Sequence, residues 1–356
     1  MKTKSNKILF LYAEITPYLI GCLKNLVISY PKIHLNVVCK KIFSNLELKE
    51  LDFKILLKDN FKSKDDFFEY VTDFDPNLLI VSGRMDLDYL SISRKYKNKI
   101  NVVTVQDTMF SFSFKQFIKT LFSNSLYHKY FNNFWGVGTM QSKFAKSIGF
   151  KENNIKTGFY VADEIFFKNK REIKFEGVKN FNFLYVGRLV KEKNIIKAAK
   201  VIDKINLKSK SQHKLLLIGE GYLVSKLKKY NCIKYLGLKT QSEIIKIVDN
   251  SHAFILPSIY EPWGVVVHEM TAIGMPVIVS NKSGSSYDLV IDGYNGFKFN
   301  PNSFKSIYNS IVKFINLDNK AKASLSKNSI KISNQINHKS WNQTILSYLE
   351  KNENRN

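Results

Sequence analysis

The sequence has few cysteines and no long apolar run. Only three cysteines occur among 356 residues, and Cys22, Cys39 and Cys232 are scattered without metal-ligand spacing. This pattern excludes a disulfide framework and a zinc site. No apolar run approaches the roughly twenty residues that span a bilayer. The N-terminal apolar segment is broken at Glu14 and lacks a convincing cleavage site, so we predict a strand there and a protein of the reducing cytoplasm.

Acidic residues are also few. Asp and Glu number 30 against 55 Lys and Arg, which leaves a formal charge of +25. One explanation is the composition of an AT-rich genome, because Lys, Asn and Ile are all abundant. The other is attraction to anionic lipid, where each surface lysine contributes about 1 kcal/mol. The charge is spread over both halves without a nucleic-acid-binding motif, so no nucleic-acid partner is predicted.

The chain is long enough for two α/β domains, because 44% of its 356 residues are hydrophobic. In the N-terminal half, strand and helix signals alternate, which is typical of a doubly wound parallel sheet. Predicted strands cover residues 7–12, 34–39, 78–81, 100–105 and 134–137, and predicted helices cover 17–30, 64–74, 86–97 and 141–148. A polar linker is predicted within 159–180, a second sheet from residue 181, and a terminal amphipathic helix at 341–349.

The most informative segment is residues 260–269, which places two carboxylates around a strand-to-helix turn. Residues 253–258 are predicted to form a buried strand, with Glu261 in the loop after it and Glu269 about a turn and a half into the next helix. The first-turn amides, those of Gly264, Val265 and Val266, have no partner within the helix. Carboxylates accept hydrogen bonds from sugar hydroxyls and free helix amides bind phosphate, so the segment predicts a sugar-nucleotide site. The alternative is that one glutamate is a solvated charge at the helix start, favoured by the helix dipole.

This segment resembles the paired-glutamate signature of the family 4 glycosyltransferases, which are retaining enzymes of the GT-B fold. The resemblance continues in order over roughly residues 181–300. Its further parts are a strand with a Gly-Arg turn at 183–194, a strand with a glycine turn at 215–221, a helix ending at glycine and feeding a strand at 269–278, and residues 284–288 and 292–297. The resemblance implies two Rossmann-like parallel-sheet domains facing a central cleft, with a C-terminal helix crossing back to the first domain.

The resemblance implies an acceptor-binding domain at residues 1–165, a nucleotide-sugar-binding domain at 175–338, and a crossover helix and tail at 339–356. It also implies roles for particular residues. Arg188 and Lys193 would stabilise the anionic leaving group, because guanidinium and ammonium groups bind phosphate; ordinary surface charge beside a turn is the alternative. Glu269 would bind the ribose hydroxyls and Glu261 a sugar hydroxyl. Further predicted donor contacts are Gly187, Gly219, Gly264, Val265 and Val266.

The N-terminal half departs from the family pattern at two strand ends. The turn at residues 13–18 lacks the glycines that many members carry, which makes Glu14 a candidate contact for the acceptor or sugar; a solvated or capping acid is the alternative. Gln106 stands where members often have histidine, and it can form hydrogen bonds but cannot exchange a proton. It is a second candidate acceptor contact. Asp107 either orients the acceptor or is an ordinary turn residue.

No metal and no cofactor are predicted besides the nucleotide-diphosphate sugar, with UDP or GDP as the favoured nucleotide. The letters of an Asp-x-Asp motif occur at Asp86 and Asp88, but their place before a predicted helix favours a cap. The predicted function is retaining transfer of a sugar to a hydroxyl of a glycan or lipid-linked acceptor in cell-surface polysaccharide biosynthesis, such as lipopolysaccharide or capsule. A non-catalytic sugar-nucleotide-binding subunit of a glycan assembly complex is the alternative.

The final prediction concerns location. Apolar residues recur at helical spacing in residues 112–122, flanked by Lys115 and Lys119, and the segment continues to Tyr130 and Phe131. Such a helix either packs against the first sheet or, helped by Lys129, inserts into a lipid surface. The second alternative would use the positive charge. It predicts a peripheral enzyme that binds anionic lipid on the inner face of the cytoplasmic membrane.

Overall fold

The computed structural model describes residues 6–43, 51–110 and 126–353. The chain divides into two compact units. Unit 1 comprises Met1–Val161 and Ile336–Asn356, and unit 2 comprises Ala162–Gln335. The chain therefore leaves unit 1 once and returns to it once. Unit 2 begins near the start of the predicted linker, and residues of that linker form the short first helix of unit 2.

Unit 1 is built around a seven-stranded parallel sheet with the order β3-β2-β1-β4-β5-β6-β7. Its strands are β1 (Asn6–Ile15), β2 (Ile33–Ile42), β3 (Lys54–Leu57), β4 (Leu78–Ser82), β5 (Asn101–Gln106), β6 (Asn133–Gly136) and β7 (Ile155–Lys156), and its first helices are α1 (Pro17–Ser29), α2 (Lys64–Phe74), α3 (Leu87–Tyr96) and α4 (Thr139–Ser147). Strand β1 shows why the sequence forms this sheet, because Ile8, Leu9, Phe10 and Leu11 are all fully buried. A parallel sheet is covered on both faces, so its strands are apolar runs.

Unit 2 has a six-stranded parallel sheet with the order β10-β9-β8-β11-β12-β13. Its elements are α5 (Glu164–Lys168), β8 (Asn182–Val186), α6 (Ile195–Ser209), β9 (Lys214–Ile218), α7 (Val224–Leu227), β10 (Ile233–Gly237), α8 (Gln241–Val248), β11 (Ala253–Leu256), α9 (Val265–Ile273), β12 (Val277–Ser280), α10 (Ser285–Asp288), β13 (Gly296–Phe299), α11 (Phe304–Asn316) and α12 (Asn319–Ser333). The prediction of two doubly wound parallel-sheet domains is confirmed.

The last helix, α13 (His338–Glu353), belongs to unit 1 and confirms the predicted return of the chain. Trp341 anchors it. The indole ring stacks on Phe10 with 6.3 Å between centroids, lies 5.1 Å from the Trp135 ring, and donates from Nε1 to the carbonyl of Phe159 at 3.0 Å. A second tie joins Asn101 Nδ2 to the carbonyl of Tyr348 at 2.6 Å. Unit 1 is therefore completed by the last helix of the chain.

Strand β1 is longer than predicted. It continues through Ile15, because Glu14 pairs with Lys41 and the buried Ile15 pairs with Ile42. Glu14 thus lies in a strand, and the turn that we placed at residues 13–18 begins only at Thr16. Strands β3 and β7 were not predicted, since β3 has no fully buried residue and β7 has only two residues.

The prediction that Asp86 is a helix cap is confirmed. Its carboxylate accepts hydrogen bonds from the amides of Asp88 at 2.9 Å and Tyr89 at 3.0 Å, at the start of α3. Lys58 binds both carboxylate oxygens of Asp86 and also Asp88. Although burial opposes ionisation, hydrogen bonds from Lys40 and Lys58 lower the pKa of Asp86 to about 2. The carboxylates of Asp86 and Asp88 thus both form ion pairs with lysines of unit 1.

The predicted lipid-facing segment at residues 112–122 lies outside the described residues. The end of the same stretch is described, and there Phe131 is fully buried in the core of unit 1 while Lys129 lies over the ring of Tyr130 at 5.5 Å. Across the three described ranges, no helix has both the length and the apolar character needed to cross a bilayer.

Candidate functional site

The strand order of unit 2 reverses between β8 and β11. From β8 the chain adds β9 and then β10 on one side, and from β11 it adds β12 and β13 on the other. The loops after β8 and β11 therefore diverge and leave a crevice at the carboxyl ends of these strands, where open α/β sheets bind their ligands. Seven of the predicted site residues lie in or directly after these two loops: Gly187, Arg188, Lys193, Glu261, Gly264, Val265 and Val266.

Two glycines allow the loops after β8 and β9 to pack closely. Gly187 has φ +149° and Gly219 has φ +125°, conformations that residues with a side chain rarely adopt. A Cβ on Gly219 would lie 2.1 Å from the carbonyl oxygen of Gly187. A backbone hydrogen bond joins the two segments there, because the amide of Gly187 donates to the carbonyl of Ile218 at 3.0 Å. The predicted glycines thus allow the backbones of these two loops to approach each other at the crevice.

A largely buried ion pair spans the reversal point. Lys193 Nζ bonds Glu261 Oε2, and both side chains are only 13% exposed. Ser258 adds a weaker hydrogen bond to the same oxygen at 3.4 Å. The backbone closes the link, because the amide of Ile259 donates to the carbonyl of Glu192 at 2.9 Å. Two predicted catalytic residues 68 positions apart are therefore in direct contact.

Arg188 occupies a different position from Lys193. Its side chain is 72% exposed, and its guanidinium lies 3.5 Å from the carboxylate of Glu192. It still contributes to the same electrostatic environment, because burial raises the pKa of Tyr185, the charge of Glu261 raises it further, and that of Arg188 lowers it. Arg188 is therefore a solvent-facing cation at the rim of the loop, held by an exposed ion pair of small energetic value.

Helix α9 begins directly beside Glu261. Gly264 has φ +86°, and a Cβ there would lie 3.0 Å from Cγ of Glu261. The amide of Val267 is bonded to Gly264 O at 2.9 Å, which places the amides of Gly264, Val265 and Val266 ahead of the first intrahelical bond. A nine-residue helix with such a start attracts an anion through these donors and the helix dipole.

Glu269 lies further along α9 in an unusual electrostatic setting. Burial raises the pKa of this carboxyl group to about 8, and the negative charge of Asp163 adds to the effect. The neighbouring His268 is fully buried and ties α9 to the start of unit 2, because its Nδ1 accepts from the amide of Ala162 at 3.0 Å. A carboxyl group with a raised pKa at a crevice is a recognised mark of a functional site, although it does not identify the ligand.

Unit 1 has a second crevice, which also lies where the strand order of the sheet reverses. Its strand order reverses between β1 and β4, and a cavity of about 510 Å³ lies at the carboxyl ends of β1, β4 and β5. The cavity is lined by the remaining predicted site residues, namely Glu14, Gln106 and Asp107. The two crevices thus divide the predicted site residues between the units: three in unit 1 and the rest in unit 2.

Hydrogen bonds fix the end of β5 in this cavity. Gln106 Oε1 accepts from the hydroxyl of Tyr127 at 3.1 Å, and the carbonyl of Asp107 accepts from Gln141 Nε2 at 2.9 Å. The carboxylate of Asp107 accepts from the hydroxyl of Tyr160 at 3.5 Å. Glu14 faces the cavity from β1 with 42% of its side chain exposed, and Lys41 lies 3.6 Å away. The acceptor roles of these residues stay predictions.

Sequence reasoning missed much of this cavity. Tyr12, Tyr18 and Tyr160 line it, as does Arg84 in the loop after β4. Burial raises the pKa of each of these three tyrosines, so their hydroxyls stay protonated and can donate hydrogen bonds. The tyrosines come from separate parts of the chain and form no motif. A weak signal for Arg84 was present, because it follows a buried strand and a glycine in a chain that contains few arginines.

Comparison with known proteins agrees with this arrangement. Residues 166–332 match the model of the family described as glycosyl transferases group 1. The chain is 32% identical over 219 residues to the capsular polysaccharide biosynthesis glycosyltransferase CapM of Staphylococcus aureus, which covers 56% of this chain and 55% of CapM. It is 33% identical over 174 residues to the UDP-Gal:alpha-D-GlcNAc-diphosphoundecaprenol alpha-1,3-galactosyltransferase of Escherichia coli. This match covers 45% of this chain and 43% of that enzyme.

Solved structures extend the likeness to nearly the whole chain. The structure of Anabaena HepE in complex with UDP and glucose superposes with a TM-score of 0.74 at 18% identity, covering 97% of this chain and 100% of HepE. The lipopolysaccharide outer core galactosyltransferase WaaB superposes with a TM-score of 0.69 at 16% identity, covering 96% and 99%. The chain has the GT-B fold, and residues 166–332 resemble the glycosyl transferases group 1. At these identities the superpositions show the fold, and the chain spans about half the length of the curated relatives that it matches.

Proposed function

We propose that this GT-B protein is a retaining glycosyltransferase of family 4. It would transfer a sugar from a nucleotide-diphosphate donor, with UDP or GDP as nucleotide, to a hydroxyl of a glycan or lipid-linked acceptor in the biosynthesis of a cell-surface polysaccharide. The observation that carries the proposal is the Lys193–Glu261 pair, which sits at the reversal point of unit 2 beside the free first-turn amides of α9. The sequence relatives support the choice of pathway, since CapM is a capsular polysaccharide biosynthesis glycosyltransferase and the Escherichia coli enzyme acts on a diphosphoundecaprenol-linked sugar. The structural neighbour WaaB is a lipopolysaccharide outer core galactosyltransferase.

The arrangement suits the charge changes of the reaction. When the bond between the anomeric carbon and the diphosphate breaks, negative charge grows on the leaving phosphate, and a preorganised cation lowers that barrier. Lys193 is held in place by Glu261 and shielded from water, so its charge acts at short range in a low dielectric. Arg188 at the rim would bind the diphosphate as it enters, and the α9 amides would hold its oxygens.

In the proposed retaining step, the acceptor oxygen attacks the anomeric carbon on the face from which the diphosphate departs. The new glycosidic bond forms as the carbon–phosphate oxygen bond breaks, and the acceptor proton passes to the leaving phosphate oxygen. No side-chain nucleophile is required. Glu261 would bind a sugar hydroxyl and Glu269 the ribose hydroxyls, and both side chains lie on the segment that borders the crevice of unit 2.

The first test is a screen of UDP-, GDP- and ADP-sugars for thermal stabilisation of the purified chain. A true donor at 100 times its dissociation constant adds about 2.7 kcal/mol to the free energy of unfolding. Lys193→Met should abolish that gain. Lys191→Met is the matched control, because Lys191 is an exposed lysine of the same loop whose backbone amide, not its side chain, bonds Tyr222. Stabilisation that survives Lys193→Met unchanged would contradict the site.

Turnover separates the two candidate functions. A donor that binds and is transferred to an acceptor, with retained configuration at the anomeric carbon, supports the enzyme. Binding without turnover on any acceptor supports the non-catalytic subunit. We also propose that transfer is independent of metal ions. Activity that disappears in EDTA and returns with magnesium or manganese would refute this part.

The proposed place of work is the inner face of the cytoplasmic membrane, and the charge of +25 supports it. Sedimentation with neutral and anionic vesicles at low and high salt tests this proposal. Binding that requires anionic lipid and weakens with salt is expected, because surface electrostatics are screened beyond about 10 Å at 0.1 M salt. Equal and negligible binding to both vesicles would leave the charge as a feature of composition.

A further inference from the structure

We propose that the cavity of unit 1 receives the acceptor through an oxyanion, phosphate or carboxylate, that Arg84 binds. This inference rests on the proposed function, since it names a chemical feature of the acceptor. The resemblance that led to the donor residues said nothing about Arg84. The position of this side chain, its partners and the scarcity of arginine in the chain all favour a bound oxyanion.

Arg84 sits at the point in unit 1 where a ligand is expected. The strand order reverses between β1 and β4, and Arg84 is the second residue after β4. Gly83 before it has φ +62° and allows the chain to turn sharply at the strand end. Arg84 lines the cavity together with Gln106 and Asp107 from the end of β5. The guanidinium is therefore in the same cavity as the predicted acceptor contacts.

The guanidinium is held in place, and no acidic side chain among the described residues forms an ion pair with it. It lies 4.2 Å from the centroid of the Tyr127 ring, and Tyr127 is itself fixed by its hydrogen bond to Gln106. Nε of Arg84 is shielded from solvent and has no hydrogen-bond partner among the described residues. None of the ion pairs within residues 6–43, 51–110 and 126–353 involves Arg84. A shielded donor on a cation is costly unless a ligand supplies the acceptor.

The neighbouring acids have other partners. Glu14 faces Lys41 at 3.6 Å, and Asp107 accepts from the hydroxyl of Tyr160 at 3.5 Å. In the loop after Arg84, Asp86 is bound by Lys40 and Lys58. Lysines thus pair with Glu14 and Asp86, whereas Asp107 accepts from a tyrosine. The fixed guanidinium inside the cavity is left for a ligand.

The residue type strengthens the inference. Arginine provides only five of the 55 basic residues in this sequence, so a composition bias toward lysine does not explain arginine at this place. Guanidinium differs from ammonium in forming two parallel hydrogen bonds to phosphate or carboxylate. The protonated hydroxyls of Tyr12 and Tyr18 add neutral donors to the same cavity, while that of Tyr160 donates to Asp107. A fork-shaped cation with neutral donors around it matches an oxyanion of the acceptor.

The experiment measures binding of small oxyanions to the full chain by titration calorimetry, with UDP at saturation so that the donor crevice of unit 2 is occupied. The probes are methyl phosphate, pyrophosphate and glucuronate. Wild type is compared with Arg84→Gln, which removes the charge, and Arg84→Lys, which keeps it without the fork. Arg94→Gln is the matched control, because Arg94 is an exposed arginine on α3 that does not line the cavity.

We expect at least one probe to bind wild type and Arg94→Gln alike. Arg84→Gln should weaken that binding roughly 10- to 100-fold, the range for a lost charge-assisted hydrogen bond, with Arg84→Lys in between. Preference for the phosphoryl probes would identify a phosphate-bearing acceptor, and preference for glucuronate an acidic sugar. The inference is overturned if no probe binds at millimolar concentration, or if Arg84→Gln binds the probes as well as Arg94→Gln does.

This outcome is separable from the proposed function. Nucleotide-sugar stabilisation depends on unit 2, so Arg84→Gln should keep it in full. If wild type shows no nucleotide-sugar stabilisation, the proposed function fails, while the difference between Arg84→Gln and Arg94→Gln in probe binding without UDP still decides whether unit 1 holds an oxyanion.

Discussion

Replacing Glu269 by Gln is expected to stabilise the folded chain at pH 8 and to leave its stability almost unchanged at pH 5. Burial and the charge of Asp163 raise the pKa of Glu269 from 4.5 to about 8. The folded state therefore keeps this proton over a pH range in which the unfolded chain has released it. Stability contributed by the protonated form is fully present below about pH 4.5 and is lost as pH rises toward 8.

The magnitude follows from the size of the shift. Each pKa unit corresponds to about 1.36 kcal/mol, so the shift to about 8 sets an upper limit of roughly 4 to 5 kcal/mol. Part of the Glu269 side chain is open to solvent, which reduces the effect. We expect Glu269→Gln to exceed wild type by about 2 to 4 kcal/mol in the free energy of unfolding at pH 8.

Urea unfolding of wild type and Glu269→Gln at pH 5, 6, 7 and 8 measures this difference. Glu176→Gln is the matched control, because Glu176 is an exposed glutamate of the same unit. The gap between wild type and Glu269→Gln should widen with pH, whereas Glu176→Gln should follow wild type. A gap that is constant from pH 5 to pH 8, or that closes as pH rises, would refute the assignment of a raised pKa to Glu269.

Three further substitutions test the architecture. Lys193→Ala should lower the free energy of unfolding by about 3 to 5 kcal/mol, because it leaves the carboxylate of Glu261 shielded from water without its cation. The double change Lys193→Met with Glu261→Leu should recover much of this loss. A Lys193→Ala variant as stable as wild type would exclude the ion pair. Gly219→Ala should lower the free energy of unfolding by more than about 2 kcal/mol, because the new Cβ would lie 2.1 Å from the carbonyl oxygen of Gly187. Gly237→Ala is the control and should cost about 1 kcal/mol, because Gly237 has φ +74° but no atom within 4 Å of the new Cβ. Equal losses would contradict the close approach. Trp341→Ala should cost about 3 to 5 kcal/mol by removing the ring packed on Phe10 and Trp135, and a loss below 1 kcal/mol would show that α13 is not anchored there.

The sequence predicted the sheets well because parallel strands are buried on both faces. Apart from Lys7, the runs at residues 7–12 and 78–81 are apolar, and the structure has β1 and β4 there. Strand β7, with only two residues, has no such pattern. Glu14 was placed in a turn because a charged residue normally ends a buried run. The structure keeps Glu14 in β1, where it pairs with Lys41 of the neighbouring strand β2. The local sequence does not show which strand lies beside β1.

The candidate site shows the same division. Lys193 and Glu261 were each named from local patterns, but their contact depends on the strand order, which brings residues 68 positions apart to one point. Arg84 was not named, because one arginine after a strand has no spacing that marks it. Its meaning comes from Tyr127 beneath it and from the lysines that bind the neighbouring acids. Such information resides in tertiary packing, which periodicity cannot supply.

The return of the chain to unit 1 has a consequence for biosynthesis. The helix α13 that completes unit 1 is translated after all of unit 2, so the first unit to begin emerging from the ribosome is the last to be finished. Until then the apolar surface that receives Trp341, formed by Phe10, Trp135 and Phe159, lacks its cover. Domains usually fold in the order of synthesis, and exposed apolar surface promotes aggregation. We therefore expect nascent chains of this protein to depend on chaperones until α13 has emerged from the ribosome, and chains stopped before residue 336 to aggregate through unit 1.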